Sequence, residues 1–216
     1  MSDKLVELKK LEVEIAADKS LPLLQSNLVF GEGNADCEVL FIGEAPGLNE
    51  DRLRRPFVGR GGQLLNEMIR MIGWNREAVY ITNIVKRRPP ENRDPSPAEI
   101  EAYKPYLTRQ IAIINPKIIV TLGRFAMNYF LPDAKIMRDH GRVFAAGDRL
   151  VVPMLHPAAA LRSPQQVMSL FREDFQKLPK IVKGEFAPEI AVPAHIIGPA
   201  RKESPKKEKE KQTGLF

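Results

Sequence analysis

The stretch EVLFIGEAPGLNEDRLRRPFVGRGGQLLNEMI (residues 38–69) holds a strand pattern, a long loop and a helix pattern in succession. Glu38–Gly43 is a short apolar run with β-branched members, and it is predicted as a strand. Gly62–Ile72 puts Leu64, Leu65, Met68, Ile69 and Ile72 on one face, the pattern of an amphipathic helix. The loop between them is much longer than a strand-to-helix joint needs. Its glycines, prolines, acids and arginines suit a place where backbone approaches a ligand and charge is held beside it.

Working outward, Val79–Asn83, Lys117–Leu122 and Leu150–Leu155 read as three more strands. Between the strands lie helical patterns. Ser96 is a fitting N-cap for Pro97–Ile114, with Pro at the first helical position and Glu99 three residues on from the cap. Arg124–Leu131 follows the third strand directly, and Ser163–Leu178 has another Ser-Pro start. Strands alternating with helices predict an α/β fold, three-layer α/β/α with a central, mainly parallel four-stranded sheet. Ligands in such folds bind beyond the carboxyl ends of the strands. Glu44, Asn83 and His156, each at or just beyond a strand end, are therefore expected to converge.

The chain has 216 residues, of which 1–182 are expected to form one domain. Residues 183–211 read as a disordered linker, Pro/Ala-rich and then charged, and 212–216 as a separate peptide. Cys37 is the single cysteine, which excludes an intrachain disulfide and a cysteine-only metal site. No apolar run approaches the length of a membrane span, and the N-terminus does not read as a signal peptide, so a cytoplasmic protein without membrane attachment is expected. Net charge is +6, and from Arg52 to Arg109 twelve Lys/Arg stand against six acids. A basic middle suits a polyanion partner.

The motifs GEAPG-x-x-E-D, PFVG, GQLL, YITN, K-x-RPP-x-NRDP, LGR and HPA occur in this order. Together they resemble the family 4 uracil-DNA glycosylases over about Leu28 to Leu178. The resemblance implies a DNA-repair enzyme that flips uracil out of DNA and hydrolyses its N-glycosidic bond, with no metal and no covalent intermediate. Glu44 and His156 are the implied catalytic residues. Glu44 would position the attacking water and stabilise the cationic sugar, and His156 would donate to uracil O2 as charge develops there. Gly43, Phe57, Asn83 and His156 are the implied uracil site. The Asn83 amide can donate to O4 and accept from N3–H, and the Phe57 face can stack on the base. Arg60, Leu161 and Arg162 are the implied DNA contacts, with Leu161 as an apolar wedge. Read singly, these residues have plainer alternatives. Glu44 could accept from its own turn's amides, Asn83 could be a turn residue, Phe57 a core residue, and Leu161 and Arg162 the cap of the next helix. Glu50 and Asp51 read either as loop-capping acids or as partners for Arg52, Arg54 and Arg55. Two other functions fit the same pattern: a non-catalytic protein binding uracil or damaged DNA, and a glycosylase of broader deaminated-base specificity. Neither G-x-G-x-x-G nor the phosphate-binding G-x-x-x-x-G-K-[ST] occurs.

The chain departs from the family at one place. Family 4 enzymes usually hold a four-iron, four-sulfur cluster on four cysteines, and the corresponding positions here are about Ala16, Lys19, Arg87 and Tyr103. Without thiolates no cluster and no cofactor are expected. Packing around Leu21, Leu23, Leu24 and Tyr103 is expected to take its place, with Arg87 holding a phosphate or a helix C-terminus. The final QTGLF resembles the short peptide that binds sliding clamps, with Gln212 making polar contacts and Leu215 and Phe216 filling an apolar pocket. The expected partners are uracil-containing DNA and a sliding clamp, for a monomer associated with the nucleoid.

Overall fold

The computed structural model describes residues 3–192. The clamp-like residues Gln212, Leu215 and Phe216 lie outside them. The chain opens with α1 (Asp3–Ala17), and the short β1 (Glu32–Gly33) precedes the first long strand, β2 (Val39–Gly43). The 44–59 loop contains α2 (Leu48–Leu53) and leads into α3 (Arg60–Met71). Then come β3 (Tyr80–Asn83), α4 (Pro97–Ile114), β4 (Ile118–Leu122), α5 (Arg124–Phe130), α6 (Ile136–Asp139), β5 (Phe144–Ala146) and β6 (Arg149–Met154). The last elements are α7 (Pro157–Arg162), α8 (Gln165–Val182) and β7 (Ile190–Val192).

The four strands expected from the sequence form the parallel centre, in the order β3-β2-β4-β6. Three short strands extend it on both sides. β1 pairs antiparallel with β3, β5 antiparallel with β6, and β7 parallel with β5, which makes a seven-stranded sheet. The segment expected as linker from residue 183 thus re-enters the sheet at 190–192. Backbone pairing with β5 gives it an order that its composition does not announce.

Period-two alternation sorts the central strands into two cores. Leu40, Ile42 and Ile119 face the layer containing Leu8, Leu11, Tyr103 and Leu107 of α1 and α4. Val39, Phe41, Val120 and Leu122 face Leu65, Ile69, Phe171 and Phe175 of α3 and α8. Every residue of β2, β3 and β4 is buried, as a sheet covered on both faces requires. The Ser96–Glu99 capping box forms as expected at the start of α4. The other Ser-Pro start does not: Ser163 ends α7, and α8 begins at Gln165 without a side-chain cap.

Candidate active site

Strand register brings the site together. Gly43 is paired with Asn83 at the ends of β2 and β3, and Leu122 with Met154 at the ends of β4 and β6. Glu44 and His156 follow within two residues, so both lie on the same sheet edge as Asn83. All three line a cleft of about 740 Å³, together with Phe57, Arg60 and Arg162. Leu161 is not part of the lining; it stands 38% exposed on α7.

Gly43 is the close-approach point. A Cβ there would lie 2.5 Å from both Asn83 Oδ1 and Phe57 Cζ. Hydrogen is the one substituent that lets the amide and the ring close over this backbone. Asn83 is 2% exposed, and its Oδ1 has no hydrogen-bond partner among the described residues. A buried amide oxygen left unpaired is costly unless a ligand satisfies it.

Phe57 has φ 51°, a left-handed conformation that costs a non-glycine residue about 1–3 kcal/mol and persists only when its surroundings enforce it. Three bonds enforce it here. Arg76 Nη2 donates to Pro56 O at 2.6 Å, and Glu50 Oε1 accepts from the amides of Val58 and Gly59 at 2.9 and 2.7 Å. Glu50 is therefore a loop-capping acid. Asp51 is another, accepting from Asn27 N at 2.7 Å. Of the arginines they were expected to order, Arg55 pairs with Glu32 at 2.7 Å.

His156 is the N-cap of α7. Its Nδ1 accepts from Ala158 N at 3.1 Å, which puts the proton of a neutral ring on Nε2. Burial, reinforced by the Arg162 charge and opposed by Glu50, pulls its pKa down to about 4. At neutral pH the ring is an uncharged donor. Its centroid lies 6.0 Å from that of Phe57, with 33° between the ring planes. Gly123, with φ 90°, lets β4 end against it: a Cβ there would sit 3.0 Å from His156 Cβ.

The Glu44 carboxylate accepts no hydrogen bond among the described residues, so it does not cap its own turn. Burial raises its pKa to about 7; Asp94 adds to the rise and Arg124 opposes it. Asp94 and Arg124 form an ion pair at 2.6 Å on the rim. Neither residue stands out in the sequence as a site residue, although both lie in the motifs NRDP and LGR. A role that requires ionised Glu44 would make activity depend on pH. Activity should rise through about pH 7, falling about tenfold per pH unit well below it. His156, with its pKa about 4, adds no limb there. Asp94→Asn removes a neighbouring negative charge, lowers the Glu44 pKa and should move the limb to lower pH. A pH profile of kcat/KM for both proteins checks this; an unmoved limb would show that Glu44 does not set it.

Ala16, Lys19, Arg87 and Tyr103 carry no thiol, so these residues do not fit an iron–sulfur group. Tyr103 is fully buried, and its hydroxyl donates to Pro22 O at 2.8 Å. Arg87 Nη1 donates to Ser26 O, a carbonyl in the 18–31 segment rather than the expected phosphate or helix end. Leu21 and Leu23 join the same core, whereas Leu24 is 41% exposed and does not. Cys37 is buried in that core, and burial pushes its thiol up to about 11, away from thiolate chemistry. Among the described residues there is no group of three or more His, Cys, Asp or Glu placed to hold a metal ion.

Residues 30–179 match the family described as the uracil DNA glycosylase superfamily. Relatives named type-4 uracil-DNA glycosylase occur in Sulfurisphaera tokodaii (45% identical, 79% of this chain and 83% of the relative) and Thermotoga maritima (40% identical, 85% and 97%). A third, from Saccharolobus solfataricus, is 47% identical over 71% of this chain and 76% of its own. With identity of this extent laid over the cleft just described, the chain belongs to the uracil-DNA glycosylase superfamily and to its type-4 branch.

Proposed function

We propose that this protein is a monofunctional uracil-DNA glycosylase that removes uracil from DNA and leaves an abasic site. The observation that carries the reading is the buried, unpartnered Asn83 amide oxygen beside the Phe57 ring and the Nε2–H of His156. A flipped uracil fits that set. It stacks on Phe57, accepts at O4 from the Asn83 amide NH₂ and donates N3–H to its oxygen. Cytosine presents the reverse pattern at those atoms and leaves them unpaired.

Cleavage of C1′–N1 sends the bonding pair to the base, and negative charge grows on O2. A neutral His156 already donating towards that oxygen binds the transition state better than the substrate. The sugar is left cationic, and the Glu44 carboxylate stabilises it at short range. A water held by Glu44 bonds to C1′ and gives its proton to the carboxylate, which makes Glu44 ionisation a requirement. Arg60 and Arg162, which line the cleft, neutralise phosphates in this reading, and the exposed Leu161 fills the vacated stack.

The domain works without an iron–sulfur cluster, with Tyr103 and Arg87 tying the 18–31 segment to the α/β core. The test is release of uracil from an oligonucleotide carrying one uracil, followed by alkaline strand cleavage, with iron measured in the same sample. Cleavage at uracil and not at thymine, with iron far below one atom per chain, is the expected result. Stoichiometric iron would remove the cluster-free reading, and intact strands would remove the glycosylase.

Among the described residues no helix is long and apolar enough to cross a membrane. The protein acts as a monomer on nucleoid DNA in the cytoplasm, and residues 193–211, after β7, tether the peptide QTGLF to the domain, with Gln212, Leu215 and Phe216 docking on a sliding clamp. Removing residues 212–216 should abolish clamp pull-down and leave uracil release unchanged. Undiminished pull-down would sink the assignment.

A further inference from the structure

The reaction above gives no part to Lys86, yet this side chain is fully buried three residues from the uracil-reading position, Asn83. It makes no ion pair among the described residues. Its Nζ instead donates to Thr82 Oγ1 at 2.6 Å, Asn83 O at 2.8 Å and Gln110 Oε1 at 2.5 Å. Each of these is an acceptor. The Thr82 hydroxyl has Phe30 O at 2.7 Å as its nearer acceptor and Gln110 Oε1 at 3.3 Å, and Gln110 Nε2 donates to the same Phe30 carbonyl at 3.1 Å, an arrangement that turns the amide oxygen towards Lys86. Three acceptors around Nζ match the three protons of an ammonium. Burial pulls its pKa well below the ordinary lysine value; hydrogen bonds donated by a charged group favour the charged form in general.

The position of this ammonium matters more than its charge alone. Asn83 O belongs to the last residue of β3. The next two amides reach back to β2: Ile84 N donates to Gly43 O at 2.9 Å and Val85 N to Glu44 O at 3.0 Å. Lys86 closes the turn, binding Asn83 O with its side chain while its own carbonyl accepts from Val29 N at 2.8 Å. The turn 83–86 therefore carries the Asn83 side chain and grips the backbone of Glu44, and it is pinned from inside by one buried cation.

We infer that Lys86 is a positioning residue for the reaction: its buried ammonium fixes the 83–86 turn, and through it the placement of both the Asn83 amide and the Glu44 carboxylate. The inference rests on the uracil-excision reading. It differs from a purely structural role in one measurable way. Loss of the ammonium should misplace the chemistry while leaving the DNA surface, built on α3 and α7, in place.

Lys86→Met keeps the length and apolar stem and removes the donors. The test compares wild type, K86M and F171L, a core substitution on α8 remote from the turn, at a temperature where melting curves show all three folded. Single-turnover uracil release and affinity for an oligonucleotide with an abasic site are both measured. The expected result is about a 100-fold slower release for K86M, the size of loss that small misplacement produces. Abasic-site affinity should stay near that of wild type, and F171L should release uracil at close to the wild-type rate. If K86M does not fold, Gln110→Leu, which removes one acceptor, should show a smaller loss with the same split. A K86M rate like that of F171L, or in its place an unchanged Q110L rate, overturns the inference. Active wild type beside K86M at the wild-type rate overturns this inference alone. Folded wild type that releases no uracil overturns the parent reading, and this inference with it.

Discussion

Replacing His156 by alanine is expected to slow uracil release about 100–1,000-fold, the usual loss when one preorganised donor to a developing anion is removed. The expectation rests on three facts about one ring. Its Nδ1 is occupied by Ala158 N, so Nε2 carries the proton. Its pKa, near 4, keeps it neutral at working pH. It stands 6.0 Å from Phe57, across the space a stacked base would enter. The side chain also caps α7, and loss of a cap typically costs about 0.5–2 kcal/mol of stability. His156→Asn separates the two effects. Asparagine is a good N-cap, so melting should recover, whereas its short amide does not put an N–H where Nε2 lies, and the rate should stay low. Rates that follow stability across the two variants would reduce His156 to a cap.

Asn83→Leu, a change of similar size, should be as damaging for a different reason. The apolar side chain offers uracil neither a donor at O4 nor an acceptor at N3–H. Two buried polar groups of the base are then left unpaired at about 1–3 kcal/mol each. That amounts to roughly 30- to 20,000-fold in kcat/KM at 1.4 kcal/mol per tenfold. Affinity for abasic DNA, which has no base to read, should change little. A variant that still excises uracil at the wild-type rate would mean that the base is recognised elsewhere.

The parts of this structure that are legible in the sequence are local. β2, β3, β4 and β6 are short runs rich in apolar and β-branched residues, and the α4 capping box is complete within four residues. Three strand ends then follow from the parallel topology, and with them the meeting of Glu44, Asn83 and His156. What was not legible depends on contacts between distant segments. β1, β5 and β7 have two or three residues each and are strands through their pairing alone. Glu50 caps amides eight and nine residues away, and Asp94 meets Arg124 across 30 positions. The basic stretch is the clearest case. Lys86 and Arg87 count towards its charge, yet both are buried and bind protein acceptors, so neither is available to a polyanion. The cations left facing the cleft are Arg60, Arg93, Arg124 and Arg162.

The most direct measurement is a crystal structure of the protein with uracil and an abasic-site oligonucleotide. The account predicts the uracil ring against Phe57, with N3 and O4 at the Asn83 amide. It predicts O2 about 2.7–3.1 Å from His156 Nε2. Uracil bound away from Asn83, or O2 facing a part of the protein other than Nε2, would contradict it.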